Sequence, residues 1–480
     1  MQGTGLTRKA LIRRVISYTL MVVAVLAIAT VLIFLMLGYR FNRYNGTIQQ
    51  GGLVQFISQP SGASIKVGDI LLAKKTRSKI TLTPGNYLVT MQKDGYHDWT
   101  KNVTVKAGAV LWLNSVRFVP NNPETKSVLT MKTLGSMSVH ENTIALLRST
   151  SRPTLSLVDI HDDTVRTQDV TIPNSVLDSK AAATYKLDDW LSDRYVLLER
   201  TIGRVSDWVV VDTDSPADSI VVTGTKKHLP LEVASDPRSS GAVLIRYSDG
   251  TVASETISSQ KITKLPLENV ATISSDGNTL FYVTLPHGSQ VSTGYLTLGD
   301  GQARTLRTYE TNKVVQIASG RYFSTRYVAT SVGTTTYIDQ LASLPSSDDQ
   351  AATINTVPFK TITTPSKVLF SSFKANGRFV TLQQKDDLTT FDIELMKQSD
   401  VPIVGAKKLA APLEWFDQFH FWSDTNGYLR QYEFDGTNQA DILAVAPGFS
   451  ASYSSNGKYL YTIGKVANGY TLQQTKMIVD

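Results

Sequence analysis

The segment Lys74-Lys75-Thr76-Arg77-Ser78-Lys79 places four cations in six positions. Such a run can capture phosphate or carboxylate groups on a polyanion, with Lys74, Lys75, Arg77 and Lys79 as the binding groups; a loop kept soluble by its charge explains the same residues. A second cluster, Trp415, Phe416, Phe419, Phe421 and Trp422, lies beside Glu414, Asp417 and Gln418. Trp415, Phe416, Phe419 and Trp422 are the candidate floor on which a sugar ring stacks, and strand aromatics packed as core are the alternative. Asp212, Asp214 and Asp218 in VDTDSPADS offer oxygen ligands to calcium, but the Gly and terminal Glu of a calcium loop are missing, so a polar turn accounts for them as well. The six histidines are scattered and form no His-Glu-x-x-His pattern. No nucleophile elbow, phosphate-binding loop or dinucleotide fingerprint occurs. The sequence therefore assigns no catalytic residue, no cofactor and no metal, and points to recognition rather than reaction.

Those groups must be held by elements, and the first element is apolar. Val15 to Leu37 reads VISYTLMVVAVLAIATVLIFLML, without a charge. As a helix it reaches about 34 Å, against a hydrocarbon core of about 30 Å. It is longer than a signal-peptide core and ends without a small-residue cleavage site. The expectation is a transmembrane anchor in the lipid bilayer. Arg8, Lys9, Arg13 and Arg14 precede it and only Arg40 and Arg43 follow closely, so residues 1–14 are expected in the cytoplasm and the bulk of the chain outside the plasma membrane.

The net charge of +7 comes largely from those six residues, so the balance gives no support to nucleic-acid binding. The remainder is uneven. Between Gly52 and Val119 nine basic residues face only Asp69, Asp94 and Asp98, whereas the region beyond Pro120 is mildly acidic. With no cysteine in the chain, disulfides and thiolate sites are excluded.

Residues 38–51 are polar and read as a spacer. Runs at Leu53–Ile57, Ala63–Val67, Ile80–Leu82, Tyr87–Gln92, Val103–Val105 and Val110–Leu113, broken by Gly, Pro and Asp, predict a small antiparallel sandwich over 52–119. Pro60-Ser61-Gly62-Ala63, Pro84-Gly85-Asn86-Tyr87 and Gly95-Tyr96, in that order, resemble the PEGA domain, a surface-associated β module of prokaryotic proteins. The resemblance implies a surface or scaffold role without catalysis. Where that family carries a Gly-x-Thr-Pro element, this chain has the basic stretch from Leu72 to Ser78.

Residues 120–125, PNNPET, read as a linker. Beyond it a polar turn followed by an apolar strand recurs at Ser275–Tyr282, Ala375–Val380 and Ser455–Tyr461. Weaker copies centre on Asn142, Asp193, Gly241, Gly320 and Asp417. A period of about 45 with several short strands per unit predicts a β-propeller over 126–480, with eight blades of four strands, or seven if one copy is an insertion. The Asp/Asn-Gly turns resemble those of the TolB-like propeller superfamily. Lys126–Met131 precedes the first unit and the last unit lacks one strand, so pairing the two would leave no open edge.

The fold class is thus mainly β behind one N-terminal helix. The expected function is a non-catalytic, anchored, extracytoplasmic scaffold of the cell envelope that binds envelope proteins or cell-wall polymers. The alternative is an exported propeller enzyme acting on wall or surface polysaccharide. Converging carboxylates at the channel would favour the enzyme, a flat aromatic top the binder.

Overall fold

The computed structural model describes residues 8–36, 38–42, 46–161, 163–177, 183–225, 227–299, 301–341, 343–344, 357–374, 376–403, 405 and 411–479. Leu37 of the expected span and Ala375 of one repeat copy lie outside them. The chain forms two compact units, Met1–Asn121 and Asn122–Asp480.

The first unit begins with the helix Arg8–Met36, which starts before the apolar run and takes in Arg13 and Arg14. No helix breaker separates Arg8 from Val15, and Lys, Arg, Leu and Ile are good or neutral helix formers, so the basic flank continues the helix. Its stretch Leu11–Phe34 is long and apolar enough to cross a membrane and is exposed throughout. Ser17, Thr19 and Thr30 turn their hydroxyls back to the carbonyls of Arg13, Val15 and Leu26 at 2.8–2.9 Å. These hydroxyls therefore present no unsatisfied donor to an apolar solvent.

The expected spacer is structured. Tyr39–Asn42 pairs with Thr47–Gln50 as a hairpin, and the Gly51 N–H bonds the Gly38 carbonyl at 2.9 Å. Two sheets follow. Gly52–Gln59 lies between Ser78–Leu82 and the parallel Val110–Arg117; Ser64–Val67 and Gly85–Gln92 lie between Ile70–Leu71 and Trp99–Val105. Strict alternation along Gly52–Gln59 buries Val54 and Phe56 against Ile65, Met91, Trp99 and Val116. Leu53, Gln55 and Ile57 face outward.

The second unit holds eight antiparallel sheets in chain order: 136–171, 183–221, 230–264, 270–310, 315–363, 370–402, 420–444 and 452–476. Seven have four strands and the seventh has three among the described residues. The eighth gains its fourth strand from Thr125–Met131, paired antiparallel with Gly469–Lys476. This is the pairing expected of Lys126–Met131.

Because side chains alternate along a strand, each sheet gives one face to its predecessor and one to its successor. Leu197 and Val210 of sheet two pack with Val243 and Ile245 of sheet three, while Leu244 turns to Leu280 of sheet four. Phe281 then meets Val328, Ile338 meets Phe391, and Leu388 meets Phe421. Phe416 meets Tyr453, rings 4.8 Å apart, and Tyr461 and Leu472 of sheet eight share a core with Ile144 and Val158 of sheet one. The succession of shared cores returns to its start.

One hydrogen bond repeats. The amide just past the third strand bonds the carbonyl just before the second, as in Ile160 to Asn142, Thr213 to Arg194, Leu298 to Asn278, Ile393 to Arg378 and Met477 to Lys458, at 2.8–3.0 Å. The recurring polar turns therefore join the first and second strands. Gly320 departs from this. It lies within the strand Val315–Tyr322, and the turn falls at Phe323, which takes φ 52°. Gly320 instead marks a close approach, since a Cβ there would stand 2.5 Å from the Phe373 ring.

Candidate functional site

The strand Ala183–Trp190 alternates buried and exposed until Leu187, then slips. Its register against Tyr195–Ile202 shifts between Leu187 and Asp189, leaving Asp188 and Asp189 both exposed and Trp190 buried again. A bulge re-aims a side chain in this way. Two adjacent carboxylates thereby share one surface. Burial among protein atoms pushes the Asp188 carboxyl up to about 6, reinforced by the charges of Asp189 and Glu199 and opposed by Lys186. Burial also raises Asp189, against a 2.8 Å bond from the Trp190 N–H and the pull of His140.

Glu414 leads into sheet seven. It accepts a 2.7 Å hydrogen bond from Ser450 at the entry to sheet eight. Burial raises its carboxyl; Ser450 and Lys374 oppose this, and Asp424 and Asp189 add to it. Lys374, closing the first strand of sheet six, is pushed down by burial and held up by Glu414. These groups touch solvent, and the protein around them still raises the carboxyls and lowers the lysine. Among the described residues sheets two and seven share no core cluster, yet the Asp189 charge contributes to the rise at Glu414. The first strands are polar elsewhere too: Ser136 accepts the Leu187 N–H at 2.8 Å, and Ser274 and Ser319 are 3.1 Å apart. Raised carboxyls beside a lysine and serine hydroxyls present hydrogen-bond acceptors and donors together, which suits a hydroxyl- or amine-bearing ligand.

For a metal, the described residues offer one group of three, His140, Glu141 and Asp193, whose ligand atoms lie within 4.8 Å of one another. His140 Nε2 and Asp193 Oδ1 are bonded to each other at 2.8 Å, and the imidazole stacks on Trp190. The three belong to turns of two different sheets, so no spacing in the sequence reveals them.

The sequence candidates are placed as follows. Trp415, Phe416, Phe419 and Trp422 do not form one floor. Trp415 and Phe419 pack toward Phe379 of sheet six, and Phe416 stacks on Trp422 and meets Tyr453 of sheet eight. Trp422 is buried. Asp212 is buried too, gripped by Arg194 at 2.8 and 2.6 Å and by the Asp214 and Ser215 N–H groups. Burial alone would raise its carboxyl, but these partners hold it below the usual range. Asp392 receives the same treatment from Arg378, Glu394 and Leu395, so the feature is a turn device that recurs without an acidic triplet. Lys74, Lys75, Arg77 and Lys79 are all exposed, and none is in an ion pair among the described residues. Reading the sequence missed Asp188, Asp189 and Lys374; only the Asp-Asp-Trp close of an alternating run signals the first two.

Comparison with known proteins agrees on the small unit: the PEGA domain family matches residues 53–120. No curated protein matches the chain. Among solved structures, the chain is similar to one titled a mitotic checkpoint complex (10% identity, 75% of this chain and 93% of that one, TM-score 0.39). It is also similar to an oligogalacturonate lyase in complex with manganese (9%, 74% and 98%, TM-score 0.41). A third is Saccharomyces cerevisiae Sqt1 (9%, 75% and 98%, TM-score 0.45). Likeness this slight assigns no role to any residue.

Proposed function

We propose that this chain is a membrane-anchored, extracytoplasmic binding protein of the cell envelope. Its second unit is an eight-bladed β-propeller that holds a hydroxyl- or amine-bearing ligand, such as a glycan, at its central channel. The observation that carries this reading is Glu414, which accepts a hydrogen bond from Ser450 and lies within electrostatic reach of Lys374 of sheet six and Asp189 of sheet two. The apolar helix with its basic N-terminal flank supports anchoring with the propeller outside. Two measurements test it. Protease applied to right-side-out vesicles should remove the propeller and spare the N-terminal tail; full protection would reverse the orientation. On a glycan array, the full chain in detergent should bind a defined set of glycans, and Asp189→Asn with Glu414→Gln should lose them. Equal binding by that variant would place the ligand elsewhere.

One observation favours a second reading. A carboxyl at about 6 beside another carboxyl is what a general acid working near neutral pH requires. Cleavage of any array-positive polysaccharide by the native chain, abolished in Asp188→Asn, would make the protein an exported enzyme.

A further inference from the structure

The four basic residues at 74–79 and one exposed tryptophan belong to the same sheet. Gln55, at the centre of the outward face, stands opposite Lys79 on one side and Trp112 on the other. Residues directly opposite in a sheet share a face, so Lys79, Gln55 and Trp112 form a row. Trp112 is 55% exposed although its neighbour Leu113 is buried. The basic loop continues from the Lys79 end of the row. Thr76 pins it: its N–H bonds the Ala63 carbonyl, while its hydroxyl receives the Ala63 N–H and stands 2.7 Å from Ser58 Oγ. Lys74, Lys75 and Arg77 are thus displayed on a fixed backbone, not on a free tail. Asp94 is exposed on the same unit, and Asp98 takes a hydrogen bond from Gln92.

The direction of the surface matters. The helix joins this unit at its other end, where Gly51 bonds Gly38 and Gly108 bonds Gly51. From Gly52 the strand Gly52–Gln59 runs away from that junction. Seven steps at about 3.3 Å carry it about 23 Å before it reaches the loop that Thr76 holds. That is more than two screening lengths at 0.1 M salt, about 10 Å each. Lys74, Lys75 and Arg77 are thus displayed at the end of the strand far from its junction with the helix.

We infer that this face docks a sugar polymer carrying phosphate groups outside the bilayer, with the cations taking the phosphates and Trp112 stacking on a sugar ring. The assignment rests on the small unit lying outside the membrane; the binding test does not depend on topology, so protease protection and polymer binding fail separately.

The test uses the full chain in nanodiscs of zwitterionic lipid. The probes are a glycosylated poly(glycerol phosphate), neutral dextran, and vesicles containing phosphatidylglycerol. The native chain is expected to bind the phosphate polymer, to ignore dextran, and to lose affinity steeply between 0.1 and 1 M salt. Lys74→Ser/Lys75→Ser/Arg77→Ser/Lys79→Ser should lose at least tenfold without a change in thermal unfolding, since all four side chains are exposed. Trp112→Ala should lose several-fold with an unchanged salt slope. Attachment to the anionic vesicles, which offer no sugar ring, should be weaker than binding to the polymer and unchanged in Trp112→Ala. The inference is overturned if the native chain ignores the polymer or binds dextran equally. It is likewise overturned if the fourfold variant binds within twofold, if Trp112→Ala is neutral, or if salt has no effect. A fourfold variant that loses the vesicles and keeps the polymer would assign the charge to lipid instead.

Discussion

Asp188 couples the local backbone to stability. Its carboxyl is raised from the usual 3.8 to about 6, first by burial and then by Asp189 and Glu199. The folded protein therefore holds a proton that the unfolded chain releases. Below about pH 4 both states are protonated and nothing is lost; as pH rises toward 6 the unfolded state is increasingly favoured, and above 6 the penalty is constant. The ideal cost would be about 3 kcal/mol, and solvent contact screens it to about 1 kcal/mol. Asp188→Asn removes it. Thermal unfolding followed at several pH values should show the variant equal to the native chain near pH 4 and more stable by a few degrees at pH 7. A variant less stable at pH 7 would mean that the carboxylate is satisfied there. In the sequence only the Asp-Asp-Trp close of the run hints at this, because strict alternation places Asp188 and Asp189 on opposite faces and only the bulge unites them. The aromatic cluster shows the converse. There alternation does hold, and it separates Trp415 and Phe421 from Phe416 and Trp422.

Between elements, a buried ion pair of Arg307 and Asp339 joins sheets four and five. Burial raises the Asp339 carboxyl, and Arg307 pulls it back toward ionisation. Arg307 also lies over the Tyr337 ring at 5.7 Å. Removing one partner strands a charge in a dry place. Asp339→Ala should cost about 3–5 kcal/mol by denaturant unfolding, whereas Arg307→Met with Asp339→Leu should recover most of that loss. A double variant as unstable as the single would show that the link is specific rather than a matter of desolvation. The turns allow a second check. Gly377 sits at φ 82°, and a Cβ there would overlap the Arg321 carbonyl. Gly377→Ala should therefore destabilise by more than about 1 kcal/mol and by more than Gly203→Ala, which at φ 63° carries backbone strain but has nothing within 4 Å. The repeat itself was legible because each first turn needs a polar or glycine corner; Gly320 misled because a glycine is equally what close packing against Phe373 demands.

At the scale of the whole second unit, the order of the sheets could be read from the sequence, and so could the source of the last strand. A short strand-like run before the first repeat has no partner near it in the chain. Thr125–Met131 finds one 338 or more residues later, with Thr125 opposite Thr475 and Met131 opposite Tyr470. Ser127 and Thr471 hydroxyls approach to 2.5 Å across this ladder, and Met131 is buried with Ile144, Tyr461 and Leu472. The strand thus completes sheet eight and also fills the core that sheets eight and one share. Without it, Gly469–Lys476 is left with unpaired backbone groups and a hole where Met131 was, a loss of about 5 kcal/mol from core and ladder together. A chain beginning at Leu134 should melt at least about 5 °C below one beginning at Thr125, in a single transition, because every sheet depends on its neighbours around the cycle. If the shorter chain melts at the same temperature, the eight sheets form an open stack, and the space between Asp189 and Glu414 is not an enclosed channel.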